Sequence, residues 1–415
     1  MSRVDLSTVD FSAPSLQALP RAFDAQLLAK APMLALPGTD IHLVSSHALV
    51  SEACGRAGDF SNDITTPLAS RHAATPAVQA VLERGWPQQN VLLMSDPPSH
   101  GRYRKLVSQA FSIKRVDAIE QRIPAIAGEL VVALTGTTAC DFVAAFAVLL
   151  PVSVIAGELA LPPGDAERVR QWTSAFTDRL GGMISATDEL ECVHEVVDFQ
   201  QAIKAQIDAR LAEAHDDLLS DLVRATVEGE APLSIAELLS TIQQLVVAGN
   251  ETTTNTLSEG LLALIGQPAA MAELRANPAL TGDAAKEILR FASPVQGNWR
   301  IVARDCELGS VQLAAVSKLM LRIGAANRDP ARFADPAALQ RGRANAHTPL
   351  AFGRGIHVCI GNLLARRELA VAFELLLARL DDITLNGGET ALHYAPNVML
   401  RGLASLPIRY RCRHW

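Results

Sequence analysis

Cysteine is sparse in this chain and never paired. Cys54, Cys140, Cys192, Cys306, Cys359 and Cys412 are scattered, with no C-x-x-C spacing. That argues against a disulfide framework and a structural zinc site, and the lack of C-x-x-C-H excludes a covalently attached c-type haem. The pattern fits a reducing cytoplasm. Charge of one sign is never concentrated: no block of five like charges occurs, and the formal net charge is -7. The basic footprint of a nucleic-acid binder is therefore missing. Long apolar runs are lacking too. The most apolar stretch, Phe142 to Ala156, is too short to span a bilayer and is broken by Pro151, near which a buried helix is expected to end. Met1 to Lys30 carries Asp5, Asp10 and Asp24 and reads as neither signal peptide nor anchor. A soluble, cytoplasmic protein without membrane association is expected. No linker, repeat or low-complexity tract interrupts the 415 residues. Length alone allows about two or three domains, but one large domain, 1–415, is the expectation.

What is present centres on Phe352-Gly353-Arg354-Gly355-Ile356-His357-Val358-Cys359-Ile360-Gly361. One cysteine stands between glycines, ahead of a helical run from Asn362 to Leu380. Glycines let the backbone turn tightly and approach a partner closely. The start of the following helix favours thiolate over thiol, and thiolate is a soft ligand for iron. Read alone, the stretch is either such a ligand loop or a small buried cysteine at a helix start.

Two further stretches are unusual. Asp96-Pro97-Pro98-Ser99-His100-Gly101-Arg102-Tyr103-Arg104 opens a helix, with Ser99 or Asp96 able to cap it. His100 and Arg104, four apart, share a face and can clamp a carboxylate, or else form a solvated basic face. Farther on, Ser234 and Glu237 form a capping box. The helix they start runs to about Ile265, where Gly266 and Pro268 stop it. Ala248-Gly249-Asn250-Glu251-Thr252-Thr253-Thr254-Asn255-Thr256 interrupts its apolar pattern. Glycine and β-branched residues weaken a helix, and threonine hydroxyls can bond back to carbonyls and open a turn. Such a polar patch marks either a functional site or a cavity wall.

The cysteine stretch resembles the ligand loop of the cytochrome P450 family, the haem-thiolate monooxygenases: Phe-Gly-x-Gly-x-His/Arg-x-Cys-x-Gly matches at every position. The polar insert resembles the family's oxygen-activating motif, and the His100/Arg104 stretch resembles its propionate clamp. The similarity runs from about Asp96 to the C-terminus. It implies a mainly α-helical fold with small β-sheets around a buried haem b. Cys359 would be the axial metal ligand. His100, Arg104, Arg300 and His357 would hold propionates, and Phe352 and Gly361 would shape the loop. Ala248 and Gly249 would leave room for haem and O2, while Glu251 and Thr252 would deliver the protons that O–O cleavage requires. Glu287 and Arg290, completed by Arg343 or else Arg341, would form the family's structural ion-pair set. Leu93, Val247, Ala248, Val295, Asn298 and Val398 would line a substrate pocket.

The implied reaction is monooxygenation of a small hydrophobic substrate, by hydroxylation or oxidative demethylation. No G-x-G-x-x-G strand–helix unit or ferredoxin cysteine cluster is present. Electrons would therefore come from a separate ferredoxin and reductase; Arg102, Lys105 and Arg354 are either a basic docking face for them or unspecific surface charge. A peroxygenase using H2O2 and a non-catalytic haem gas sensor or carrier are the alternative functions.

Elsewhere, Ile41–Val44, Ile301–Leu308 and Val311–Leu321 read as strands, as does much of Pro396–Tyr410. Ser51–Gly55, Thr75–Arg84, Ile119–Leu130 and Phe199–Leu211 read as helices, Gly85–Pro98 as loop, and Pro162–Gly164 and Gly181–Gly182 as breaks.

Overall fold

The computed structural model describes residues 5–413 apart from 7, 12, 19, 65–74, 160, 162–164 and 182–183. The expected break at Pro162–Gly164 lies outside the described residues, as does Gly182. Two compact units partition the chain: residues 62–123 with 148–251, and the remainder. The helix Ile235–Ile265 is continuous, and the division falls within it, after Glu251.

The first of these units is helical. Its helices include Ser99–Ala110, Leu149–Glu158, Ala166–Gly181 and Ala186–Ala212. Phe199 receives the edges of Trp172 and Phe176, with centroids 5.4 and 5.0 Å away. Val78, Val81, Val193 and Val197 form a second apolar cluster. Pro151 does not end a helix: it occupies the first turn of Leu149–Glu158, where its missing N–H would have had no partner in any case. Ser99 and Asp96 do not cap Ser99–Ala110. Pro98 stands at the cap position, and the Asp96 carboxylate accepts from the Asn62 amide at 2.8 Å. The loop Gly85–Pro98 contains one 3-10 turn, Leu92–Met94.

The other unit carries the sheets. A five-stranded sheet runs Met33–Ala35, Ile41–Val44, Lys318–Leu321, Asn298–Val302, Phe60–Ser61. Only the Ile41–Val44 and Lys318–Leu321 pair is parallel. A three-stranded sheet joins Ala139–Asp141, Pro407–Cys412 and Leu380–Leu385. Ile301–Leu308 and Val311–Leu321 each divide between two sheets, because Cys306–Leu308 and Val311–Leu313 pair separately as a hairpin around Gly309. Ile119–Leu130 also divides, into Ile113–Glu120 and Ile123–Leu134. Three helices of this unit close on one another at Gly260, where an added Cβ would stand 2.7 Å from both Ile288 Cγ2 and Phe373 Cζ. Only glycine permits that approach.

Candidate active site

The cysteine loop is closed by its own backbone. The Cys359 amide donates to the Phe352 carbonyl at 2.9 Å. Gly353 and Gly355 take φ of 68° and 74°, the left-handed region that glycine occupies without strain. A Cβ at Gly355 would overlap the Cys54 carbonyl oxygen. Arg366 lies over the Phe352 ring at 5.0 Å, and Asn362 Nδ2 donates to the Cys359 carbonyl at 2.7 Å. The helix Asn362–Arg379 starts directly after Gly361, so its positive end adjoins the cysteine.

Four of the other thiols are held away from the thiolate form. Burial pushes Cys54, Cys140, Cys192 and Cys306 up, Cys192 to about 11. A high pKa suppresses the thiolate that binds iron. Among the described residues no group of three His, Cys, Asp or Glu gathers to hold a metal. A lone thiolate on a glycine loop, with a macrocycle supplying the other ligands, fits that donor set.

The central helix keeps its α-helical form through the polar insert. Thr256 Oγ1 donates to the Thr252 carbonyl at 2.7 Å and Ser258 Oγ to Thr254 at 2.8 Å, while Thr254 Oγ1 donates to the Ala147 carbonyl at 3.1 Å. Back-bonding thus occurs without opening the turn, the reverse of the expectation, because the backbone hydrogen bonds are kept and the hydroxyls share carbonyls with them. Asn250 is buried and donates to Thr173 Oγ1 at 3.0 Å. Ala248 and Gly249 are exposed in the middle of this otherwise largely buried helix, and a Cβ at Gly249 would meet nothing within 4 Å. A flat group can lie against such a face. Glu251 and Thr252 are adjacent and half-buried.

His100 is buried and Arg104 half-buried on the helix Ser99–Ala110. Burial first, then the Arg104 charge, holds the His100 imidazole below its usual pKa, with Asp96 opposing. Two donors this close suit an anion between them. In the sheet unit Arg300 is also buried, its Nη1 donating to the Trp299 carbonyl at 2.7 Å, and His357 sits half-buried on the cysteine loop.

The pocket candidates gather within each unit. Leu93 N donates to Gln244 Oε1 at 3.1 Å, and Gln244 Nε2 donates to the Val91 carbonyl at 3.1 Å. This fastens Leu93 one helical turn from Val247 and Ala248. In the other unit Val295 bridges Leu400, and the amides of Gln296 and Gly297 donate to the Met399 carbonyl at 2.7 and 3.1 Å. Val295 is thereby brought to the segment that follows the Asn397–Val398 turn, where Asn397 Oδ1 accepts from the Met399 and Leu400 amides, while Asn298 pairs with Leu321 in the five-stranded sheet.

Glu287 takes Arg290 through both oxygens, at 2.9 and 2.7 Å, and Arg343 Nε at 2.7 Å. Arg341 pairs with Glu273 instead. Of the three docking candidates, Arg102 and Lys105 are paired within the chain, and Arg354 Nη1 donates to Ser51 Oγ at 2.8 Å. Arg102 is held by Glu237 and by the Ala231 and Pro232 carbonyls, and Lys105 pairs with Glu230 at 2.9 Å. The sequence reading missed Gln244, whose role depends on a loop far away in the chain. No helix among the described residues is long and apolar enough to cross a membrane.

Comparison with known proteins gives a consistent picture. A family model described as Cytochrome P450 matches residues 183–403. Cytochrome P450 monooxygenase PikC of Streptomyces venezuelae is 35% identical, covering 85% of this chain and 80% of its own length. The mycinamicin IV hydroxylase/epoxidase of Micromonospora griseorubida is 37% identical over 76% of this chain and 79% of its own. Among solved structures, cytochrome P450 CYP109Q5 from Chondromyces apiculatus superposes with a TM-score of 0.86 at 30% identity, over 99% of this chain and 100% of that one.

Proposed function

Since this chain belongs to the cytochrome P450 monooxygenase family, whose members carry haem b on a cysteine thiolate, we propose that it inserts one oxygen atom of O2 into a small hydrophobic substrate. Hydroxylation and oxidative demethylation are both outcomes open to that chemistry, and a separate ferredoxin with its reductase supplies the electrons. The observation that carries this reading is the closed cysteine loop: one thiol on a glycine-shaped turn at a helix start, in a chain where burial disfavours thiolate at four others.

When bound, haem supplies the oxygen activation and the oxidation of carbon. The chain supplies the rest. Cys359 would provide the sulfur ligand. His100, Arg104, Arg300 and His357 provide cationic and N–H donors for the propionates. Ala248 and Gly249 keep the central helix thin where the cofactor lies. Glu251 takes up protons and passes them to the Thr252 hydroxyl, which presents them inward; a positioned acid and alcohol carry a proton without a free water path. Val247, Leu93, Val295 and Val398 offer apolar surface that excludes water and favours a hydrophobic substrate. A steroid C26-monooxygenase among the relatives, 34% identical, supports that substrate class.

The test is the reduced, carbon monoxide-treated protein. Wild type is expected to show the far-red-shifted absorption of sulfur-ligated haem, and Cys359→Ser to lose it. A serine variant that keeps the band would overturn the assignment. Turnover faster with H2O2 alone than with NADH and redox partners would overturn the electron route.

A further inference from the structure

Four arginines and two carboxylates meet in the sheet-bearing unit, and none belongs to the haem site proposed above. Glu259 is buried on the central helix; Arg21 Nη2 reaches it at 2.8 Å and Arg401 Nη1 lies 2.6 Å away. Asp24, also buried, accepts from Arg322 Nε and Nη2 at 3.1 and 3.0 Å. Arg328 has no carboxylate partner among the described residues. Its Nη2 donates to the Phe291 carbonyl at 2.8 Å. Its guanidinium lies 4.5 Å from the Phe291 ring centroid, and Arg21 lies 5.2 Å from the same ring. Arg401 stacks on Tyr394 at 3.9 Å.

The hydrogen-bond ledger is as uneven as the charge. Arg401, 3% exposed, has no acceptor for Nε, and its Nη1 lies 2.6 Å from Glu259 Oε1. Arg322 Nη1 is buried and also lacks an acceptor. Four cations face two anions, a surplus of two positive charges. Burying like charges without compensation is costly. Burial, then Arg21, Arg290 and Arg401, draw Arg328 down to about 9, which still leaves it charged at neutral pH. The cluster is open at one end, since the Arg21 side chain is 38% exposed and Arg328 is half-buried.

We propose that this cluster is a binding site for a phosphate-class oxyanion, gripped by Arg21, Arg328 and Arg401 beside Phe291. The planar guanidinium fork matches phosphate oxygens in pairs, and a dianion matches the surplus charge. The ligand is either free inorganic phosphate or the terminal phosphate of a small metabolite.

The experiment is thermal unfolding of the haem-loaded protein at pH 7 and constant ionic strength, with chloride exchanged for inorganic phosphate in the low millimolar range. A saturable rise in Tm of about 3 °C is expected at a hundredfold excess over Kd. Arg328→Gln should abolish the saturable response, and Arg21→Gln, at the exposed end, should raise the half-saturating concentration at least tenfold. Should the first variant not fold, the second decides. Glycerol phosphate matching phosphate's half-saturation would identify a phosphomonoester as ligand; a response to inorganic phosphate alone would identify the free ion. Equal Tm in chloride and phosphate overturns the site. So does a linear, unsaturating rise, the exclusion effect of any kosmotropic salt, or an Arg21→Gln protein that responds as wild type.

Discussion

Replacing Glu237 by glutamine should expose how the central helix is anchored. Glu237 closes the capping box, its Oε2 accepting from the Ser234 amide at 2.8 Å while its own amide donates to Ser234 Oγ at 3.3 Å. Oε1 also accepts from Arg102 Nη1 at 2.7 Å and from the Tyr103 hydroxyl at 2.9 Å, and Oε2 from Arg102 Nη2 at 3.1 Å. The Arg102 hydrogen bonds are the main cause of a carboxyl held down at about 2, against burial. Glutamine keeps the shape but removes the charge and turns an NH2 group toward a guanidinium. At about 1.4 kcal/mol per pH unit the displacement corresponds to roughly 3 kcal/mol. The side chain is 15% exposed, and solvent screening leaves about 2 kcal/mol. The folded pKa is depressed, so this stability is fully present above the unfolded value of 4.5 and is lost as pH falls toward 2. Urea unfolding of both proteins, followed by circular dichroism from pH 7 to pH 3, reads the difference. The gap should be flat from pH 7 to about 5 and shrink below 4.5. A gap under about 0.5 kcal/mol at pH 7 would refute the reasoning, as would one that closes before pH 5 or persists unchanged at pH 3.

Three other substitutions test the loop that carries Cys359 and the helix that follows it. Gly355→Ala places a Cβ on the Cys54 carbonyl at φ 74°, so haem content per purified chain should fall by about half or more. Gly282→Ala, on the helix Thr281–Ala292 with nothing within 4 Å of the new Cβ, should retain its haem, and equal retention by both would sink the steric account. Glu368 is buried on Asn362–Arg379, and burial raises it to about 8. An acid whose folded pKa is raised loses stability as pH climbs from the unfolded value, 4.5, toward 8. Glu368→Gln should therefore match wild type near pH 4.5 and exceed it by about 2 kcal/mol or more at pH 8, measured by denaturant midpoint; a variant less stable at pH 8 would be the contrary result.

Local grammar was enough for several elements and for the outline of the site. Ser234 and Glu237 start the central helix and Gly266 and Pro268 stop it, because caps and breakers act within a few residues, and Ile235–Ile265 is the span observed. The turn of the Phe352–Gly361 loop was legible for the same reason: Gly353 and Gly355 are required by its positive φ angles. Other outcomes depended on groups distant in the chain. The Asp96 carboxylate serves the Asn62 amide, far back in the chain, where the sequence offered it as a cap for the helix beside it. Arg102, read as a docking or surface charge, is paired with Glu237, and Arg343 wins the Glu287 pairing over Arg341. Gln244 gathers Leu93 toward the helix, and Met399 gathers Val295 toward Val398. Charge and hydrogen-bonding capacity can be read from residue type, but the partner that satisfies them is chosen by packing, which brings together residues that no sequence window spans.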